Sequence, residues 1–107
     1  MDAGVVADLN LDRSVLRAFL KEVRRHYHAN PYHNWVHGVD VLCAARRMVA
    51  IALPEATALE LLALLLAAVC HDVNHAGVSN AVLKSLQSEW ALLYDGALCL
   101  PLCQYMY

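Results

Sequence analysis

Four of the six histidines fall in two H-x-x-x-H pairs, His33-Asn34-Trp35-Val36-His37 and His71-Asp72-Val73-Asn74-His75. Residues four apart share one face of an α-helix, so each pair can aim two imidazoles at one place. Asp72 directly follows His71 and sets a hard oxygen donor beside a nitrogen donor. Neutral imidazole suits zinc; carboxylate suits zinc, magnesium or manganese. A carboxylate has two oxygens and can bridge two metals, the arrangement used for in-line displacement at phosphorus. Asp72 also ends a strongly apolar run, where burying an uncompensated charge is costly and a metal would offset that cost. A single pair of this kind more often marks two ordinary surface or core histidines than a site. Two pairs, with an Asp beside a His, favour a metal.

The elements that must position these residues read as helices throughout. Val15, Phe19 and Val23 form a row at i+4 spacing flanked by Leu16, Leu20 and Tyr27, with Arg17, Lys21 and Glu22 mostly on the other face. This predicts an amphipathic helix from about Asp12 to His28, ended by Asn30-Pro31. Pro31 can open the next helix, which is expected from about Tyr32 to Ala52. Thr57-Ala58-Leu59-Glu60 has the pattern of a capping box and predicts a helix from Ala58 to about Cys70. That helix is apolar nearly all round and is expected to be buried on most sides. Beyond Gly77, Ser79 or Asn80 can cap a short helix through Leu86, and Ser88 another through Tyr94. With no strand signal, repeat or linker, the expected class is all-α.

Composition sets limits on what surrounds the site. The hydrophobic fraction is 60% of 107 residues, against roughly 45–50% in ordinary soluble domains. The length suits one modest domain. The excess of apolar residues suggests that some of this surface faces protein outside the chain. Net charge is −2, and Glu22 interrupts the Lys21, Arg24, Arg25 group, so a nucleic-acid partner is not expected. Met1 to Asn10 does not read as a secretory signal. The apolar run Leu61 to Cys70 is too short to span a bilayer. Cys43 and Cys70 lie inside apolar helical patterns, where cysteine behaves as a small hydrophobe. The four cysteines show no zinc-ribbon or redox spacing, so free thiols in an intracellular, cytoplasmic setting are expected.

Two segments carry a resemblance. Asn30-Pro31-Tyr32-His33-Asn34-x-x-His37-x-x-Asp40-Val41 resembles the opening motif of the class I cyclic nucleotide phosphodiesterases. His71-Asp72-Val73-x-His75-x-Gly77-x-x-Asn80-x-Val82 resembles that family's signature, and the similarity spans roughly Tyr27 to Asp95. The resemblance implies metal-dependent hydrolysis of cyclic AMP or cyclic GMP to the 5′-monophosphate in signal transduction. It implies two divalent metals, Zn2+ and Mg2+ (or Mn2+). His33 matches the proton donor to the leaving 3′ oxygen. His37, His71 and Asp72 match metal ligands, with Asp72 bridging. His75 matches a histidine behind them, near the phosphate and the attacking water, and Tyr32 a residue of the substrate pocket. An imidazole suits the acid role because its pKa lies near operating pH.

There are departures from the family pattern. Asn74 stands where the family often has Asp, Gly38 where Ala is common and Val82 where Phe is usual. The first two are expected to be tolerated, since neither supplies a ligand. Residues 1–95 read as the N-terminal, metal-binding part of the catalytic domain, and 96–107 as an atypical tail. A later Asp that closes the zinc shell, and the residues that grip the purine, have no match here. The chain alone is therefore expected to be inactive, with the remainder of the catalytic domain as its missing partner. The alternatives are a phosphohydrolase of the separate HD type, and a non-catalytic helical module derived from a phosphodiesterase.

Overall fold

In this computed structural model the described residues are 3–87 together with Glu89 and Leu92. Among them the regular elements are helices: α1 (Ala3–Asp8), α2 (Arg13–Arg25), α3 (Trp35–Ala52), α4 (Ala58–Cys70) and α5 (Asn80–Ser85). The all-α expectation is met. No helix is long and apolar enough to cross a membrane among the described residues.

Each helix start has a local cause. Asp12 caps α2, its carboxylate accepting from the Ser14 amide at 2.7 Å and the Ser14 hydroxyl at 2.6 Å. Those bonds hold the Asp12 carboxyl below its ordinary pKa. Thr57 and Glu60 form the expected capping box, with Thr57 N donating to Glu60 Oε2 at 2.9 Å and Glu60 N to Thr57 Oγ1 at 3.3 Å. Ser79 caps α5.

The start of α3 departs from expectation. It begins at Trp35 rather than near Tyr32, because Asn34 is the cap: its Oδ1 accepts from Val36 N at 3.0 Å and His37 N at 3.1 Å. An asparagine side chain can satisfy two orphan amides, which Pro31 cannot do. His33 therefore precedes the helix instead of sharing a face with His37. The expected end of α2 also moves, since it stops at Arg25, where His26 N bonds back to Glu22 O and Val23 O. The short α1 was not foreseen, because six residues show no periodicity. Packing on α4 supports it, and it buries Val5 and Val6.

The core is narrower than the sequence suggests. Helix α4 packs mainly on α3, and only the Leu65–Val69 row is buried on it. Leu59 and Leu64 are exposed, so burial on most sides does not hold. On α2, Val23 is buried but Val15 and Phe19 are not; they line an open apolar groove with Leu62 and Leu66. Cys43 faces outward, against the expectation of an inward small hydrophobe, and Cys70 is half-buried; both thiols are free. The helix expected from Ser88 to Tyr94 and the tail 96–107 lie outside the described residues, Glu89 and Leu92 excepted.

Candidate metal centre

His71 is the residue on which α4 ends, and the chain then turns sharply. Val73 N bonds to Cys70 O at 3.1 Å and His75 N to Asp72 O at 3.1 Å. Asn74 takes a left-handed φ of 61°, a conformation asparagine accepts more readily than most residues. Its amide bonds to His26 O at 3.0 Å, tying the turn to the end of α2. Tyr27, buried just after α2, donates from its hydroxyl to Val69 O at 2.9 Å and meets Trp35 edge-on at 5.8 Å. Burial pushes its phenol pKa up, which keeps it a donor.

These ties bring the two histidine pairs together. Asp72 is 7% exposed, and its Oδ2 lies 3.3 Å from His37 Nε2 and 3.1 Å from His71 Nε2. The His37–His71–Asp72 donor atoms all lie within 4.8 Å of one another. Two ligands of one tetrahedral zinc, bonded at roughly 2.0–2.2 Å, stand about 3.3–3.6 Å apart. The two nitrogen–oxygen spacings here are close to that.

The tautomer of His71 sharpens the fit. Its Nδ1 lies 2.7 Å from the Ala68 carbonyl oxygen. A carbonyl can only accept, so Nδ1 carries the proton. In the neutral ring Nε2 then turns a lone pair toward the Asp72 carboxylate. Either a second proton or a cation must separate them. A ring proton given to a backbone carbonyl is also how metal-binding histidines are commonly oriented. The donor set of two imidazoles and one carboxylate fits zinc.

His33, Asp72 and His75 form a second group within 4.8 Å, but His75 is unsuited to be a ligand there. Its Nδ1 accepts from Gly77 N at 2.9 Å, so in the neutral ring Nε2 bears the hydrogen and can only donate. Burial, then the charge of nearby His33, holds the His75 pKa below its ordinary value. Both effects keep the ring neutral. His33 stacks on it, with centroids 3.8 Å apart and planes at 7°. Asp72 remains the one carboxylate common to both groups. A harder ion such as magnesium, which keeps several waters and takes one or two carboxylates, fits that position.

Tyr32 is exposed, its ring 4.6 Å from His37 and 4.9 Å from His33. All six residues singled out in the sequence thus lie in one neighbourhood. Sequence reasoning missed the parts that hold them, namely Asn30, Asn34 and Tyr27. The preference of asparagine for helix caps could have found Asn34. Tyr27 and Asn30 act across 42 and 45 residues of chain, which no local pattern records.

Comparison with known proteins gives consistent matches. The family model for 3′5′-cyclic nucleotide phosphodiesterase matches residues 32–100, running past Asp95. A cGMP-specific 3′,5′-cyclic phosphodiesterase of Drosophila virilis is 34% identical over 96 residues, 88% of this chain and 11% of the relative. The 3′,5′-cyclic-AMP phosphodiesterase 4C of Rattus norvegicus is 41% identical over 97 residues, 88% of this chain and 18% of that one. The crystal structure of the phosphodiesterase domain of the RhoPDE fusion protein from the choanoflagellate Salpingoeca rosetta superposes with a TM-score of 0.84 at 39% identity. It covers 94% of this chain, which spans 32% of that structure.

Proposed function

The chain belongs to the 3′5′-cyclic nucleotide phosphodiesterase family, and from that premise we propose that its site serves metal-dependent hydrolysis of 3′,5′-cyclic nucleotides to 5′-monophosphates in signal transduction. Membership removes the rival assignment to a separate HD-type family. The observation that carries the proposal is the placing of Asp72 Oδ2 between the Nε2 atoms of His37 and His71, with the His71 tautomer fixed by Ala68.

In this reading His37, His71 and Asp72 would hold Zn2+, and the Asp72 carboxylate would also be available to Mg2+ or Mn2+. When bound, two such ions would supply positive charge to activate water and to stabilise the charge developing at phosphorus. His33, outside the helix and half-buried, holds the proton given to the leaving 3′ oxygen. His75, kept neutral, donates from Nε2 toward the phosphate or the attacking water. Tyr32 offers an exposed ring to the nucleotide. Free thiols at Cys43 and Cys70 suit an intracellular, cytoplasmic setting. Residues 1–95 act as the metal-binding part of a larger catalytic domain.

Two measurements test this. Zinc stoichiometry separates the metal site from a non-catalytic helical module; one zinc per chain, lost in His71→Ala, is expected. Joining the chain to the remaining helices of a related domain, then assaying cyclic nucleotide hydrolysis, tests the chemistry. Turnover abolished by both His33→Ala and Asp72→Ala is expected. Turnover indifferent to both would overturn the assignment.

A further inference from the structure

Asn30 lies outside the metal-binding and proton-donating residues, yet its side chain reaches both sides of the site. Its Nδ2 donates to His75 O at 2.7 Å and to His33 O at 3.0 Å. One amide group thus fastens two backbone segments 45 residues apart. The imidazoles those segments carry are the pair that stacks at 3.8 Å. The backbone carbonyl of Asn30 in turn accepts from Asn34 Nδ2 at 2.9 Å, and Asn34 Oδ1 accepts from His37 N. A chain of hydrogen bonds therefore runs from the His75 carbonyl through two asparagines to the first turn of α3.

The approach of Asn30 is close enough to constrain its neighbour. A Cβ on Gly77 would lie 2.5 Å from Asn30 Oδ1, and Gly77 has a φ of 76°. Both facts favour glycine there. Gly77 N is also the donor that fixes the His75 tautomer. Asn30 and Gly77 are therefore packed together beside His75, one bonded to its carbonyl and the other to the edge of its ring.

We propose that Asn30 is a positioning residue, whose amide sets the stacked register of His33 against His75 and leaves the His37–His71–Asp72 donor set to be held by α3 and α4. The inference deepens the proposed function and rests on its assignment of His33 and His75 to the substrate side. Asn30→Asp is the informative change. It keeps the shape and the backbone carbonyl used by Asn34, but turns both donated hydrogen bonds into oxygen–oxygen repulsion.

The test is histidine side-chain NMR of the metal-free protein, beside the cobalt absorption spectrum of the loaded protein. Stacked rings shield each other. Asn30→Asp should shift the carbon-bound ring protons of both His33 and His75 downfield, with the His37 and His71 signals and the cobalt spectrum unchanged. Asn30→Ser, which keeps one donor, should shift them less and supplies the reading if Asn30→Asp does not fold. Unchanged His33 and His75 signals in a folded variant would overturn the proposal. So would equal displacement of all four histidines, the mark of general loosening. A wild type that does not bind cobalt would strike the metal assignment instead, and the histidine shifts would still decide the role of Asn30.

Discussion

The Tyr27 hydroxyl occupies the space that a methyl group on Gly38 would need. A Cβ built there would lie 2.7 Å from Tyr27 Oη and 2.9 Å from its Cζ. Gly38 is in the first turns of α3, one residue after His37, and the same hydroxyl holds Val69 O on α4. Alanine is therefore not accommodated at Gly38 without movement of Tyr27, and glycine at this position is consistent with the expectation that the departure is tolerated. Gly38→Ala should cost about 1–3 kcal/mol through overpacking. Tyr27→Phe should recover part of that loss, giving a coupling of roughly 0.5–3 kcal/mol in a double-mutant cycle. Urea unfolding of the four proteins checks it; additive effects would show that the two residues do not compete for space.

The metal site should depend on each donor separately. His37→Ala, His71→Ala and Asp72→Asn should each weaken zinc or cobalt binding by more than the roughly 10–100-fold typical of losing an outer partner. Cys43→Ser should leave affinity unchanged, since Cys43 is exposed and belongs to neither donor group. Competition titration against a chelator measures both. Equal affinity in wild type and His71→Ala would contradict the ligand assignment.

The histidines show where sequence is informative and where it stops. The extent of α4 and its capping box were legible, because the cap and the apolar run are local. The pairing of His33 with His37 on one helical face was not, because Asn34 competes with Pro31 for the helix start and prevails. Residue types named His71-Asp72 as metal donors. Their meeting with His37 depends on Tyr27–Val69 and His26–Asn74, and the seating of His75 on Asn30–His75, all long-range bonds.

Stability should fall in mild acid, partly through His75. Its pKa is lowered in the folded protein by burial and then by His33, with Asp72 opposing and His71 and His37 following in the same direction as His33. The unfolded chain, with an ordinary value of about 6.5, binds the proton first. The stabilisation is therefore full above about pH 6.5 and is lost as pH falls toward the lower folded value. Denaturation at pH 7.5 and 5.5, with a chelator present, should show a smaller acid loss for His75→Gln than for wild type. An identical loss in both would remove His75 from the account.

The groove between α2 and α4 should make the protein adhesive. Leu11, Val15, Leu16, Phe19, Leu62 and Leu66 line a volume of about 310 Å³ with little polar surface. Contiguous exposed apolar area promotes association. Val15→Glu and Phe19→Glu should reduce hydrophobic-dye fluorescence and light scattering with little loss of thermal stability, since both side chains are exposed. A wild type that stays monomeric at high concentration and binds no dye would contradict this.

The 107-residue chain assayed by itself should not hydrolyse cyclic AMP or cyclic GMP at a useful rate. Among the described residues the donors proposed for zinc are His37, His71 and Asp72, and the solved relative is about three times as long as the matching part. Three protein donors can hold a catalytic zinc, so metal alone does not exclude activity. The reaction also needs phosphorus held in line with the nucleophile, and the proton of His33 aimed at the leaving oxygen. Among the described residues Tyr32 is the one proposed for the nucleotide, and a single exposed ring would leave the base and ribose free to move. A displacement of about 1 Å can cost on the order of a hundredfold in rate. Loose substrate and loosely held metals should compound each other. The measurement is turnover with zinc and magnesium or manganese present, for the chain alone and for the chain joined to the remaining helices of a related domain. Activity only in the joined protein, lost in His33→Ala and Asp72→Ala, is the expected result. Robust turnover by the chain alone, abolished by the same two substitutions, would show that these residues suffice to hold both metal and substrate.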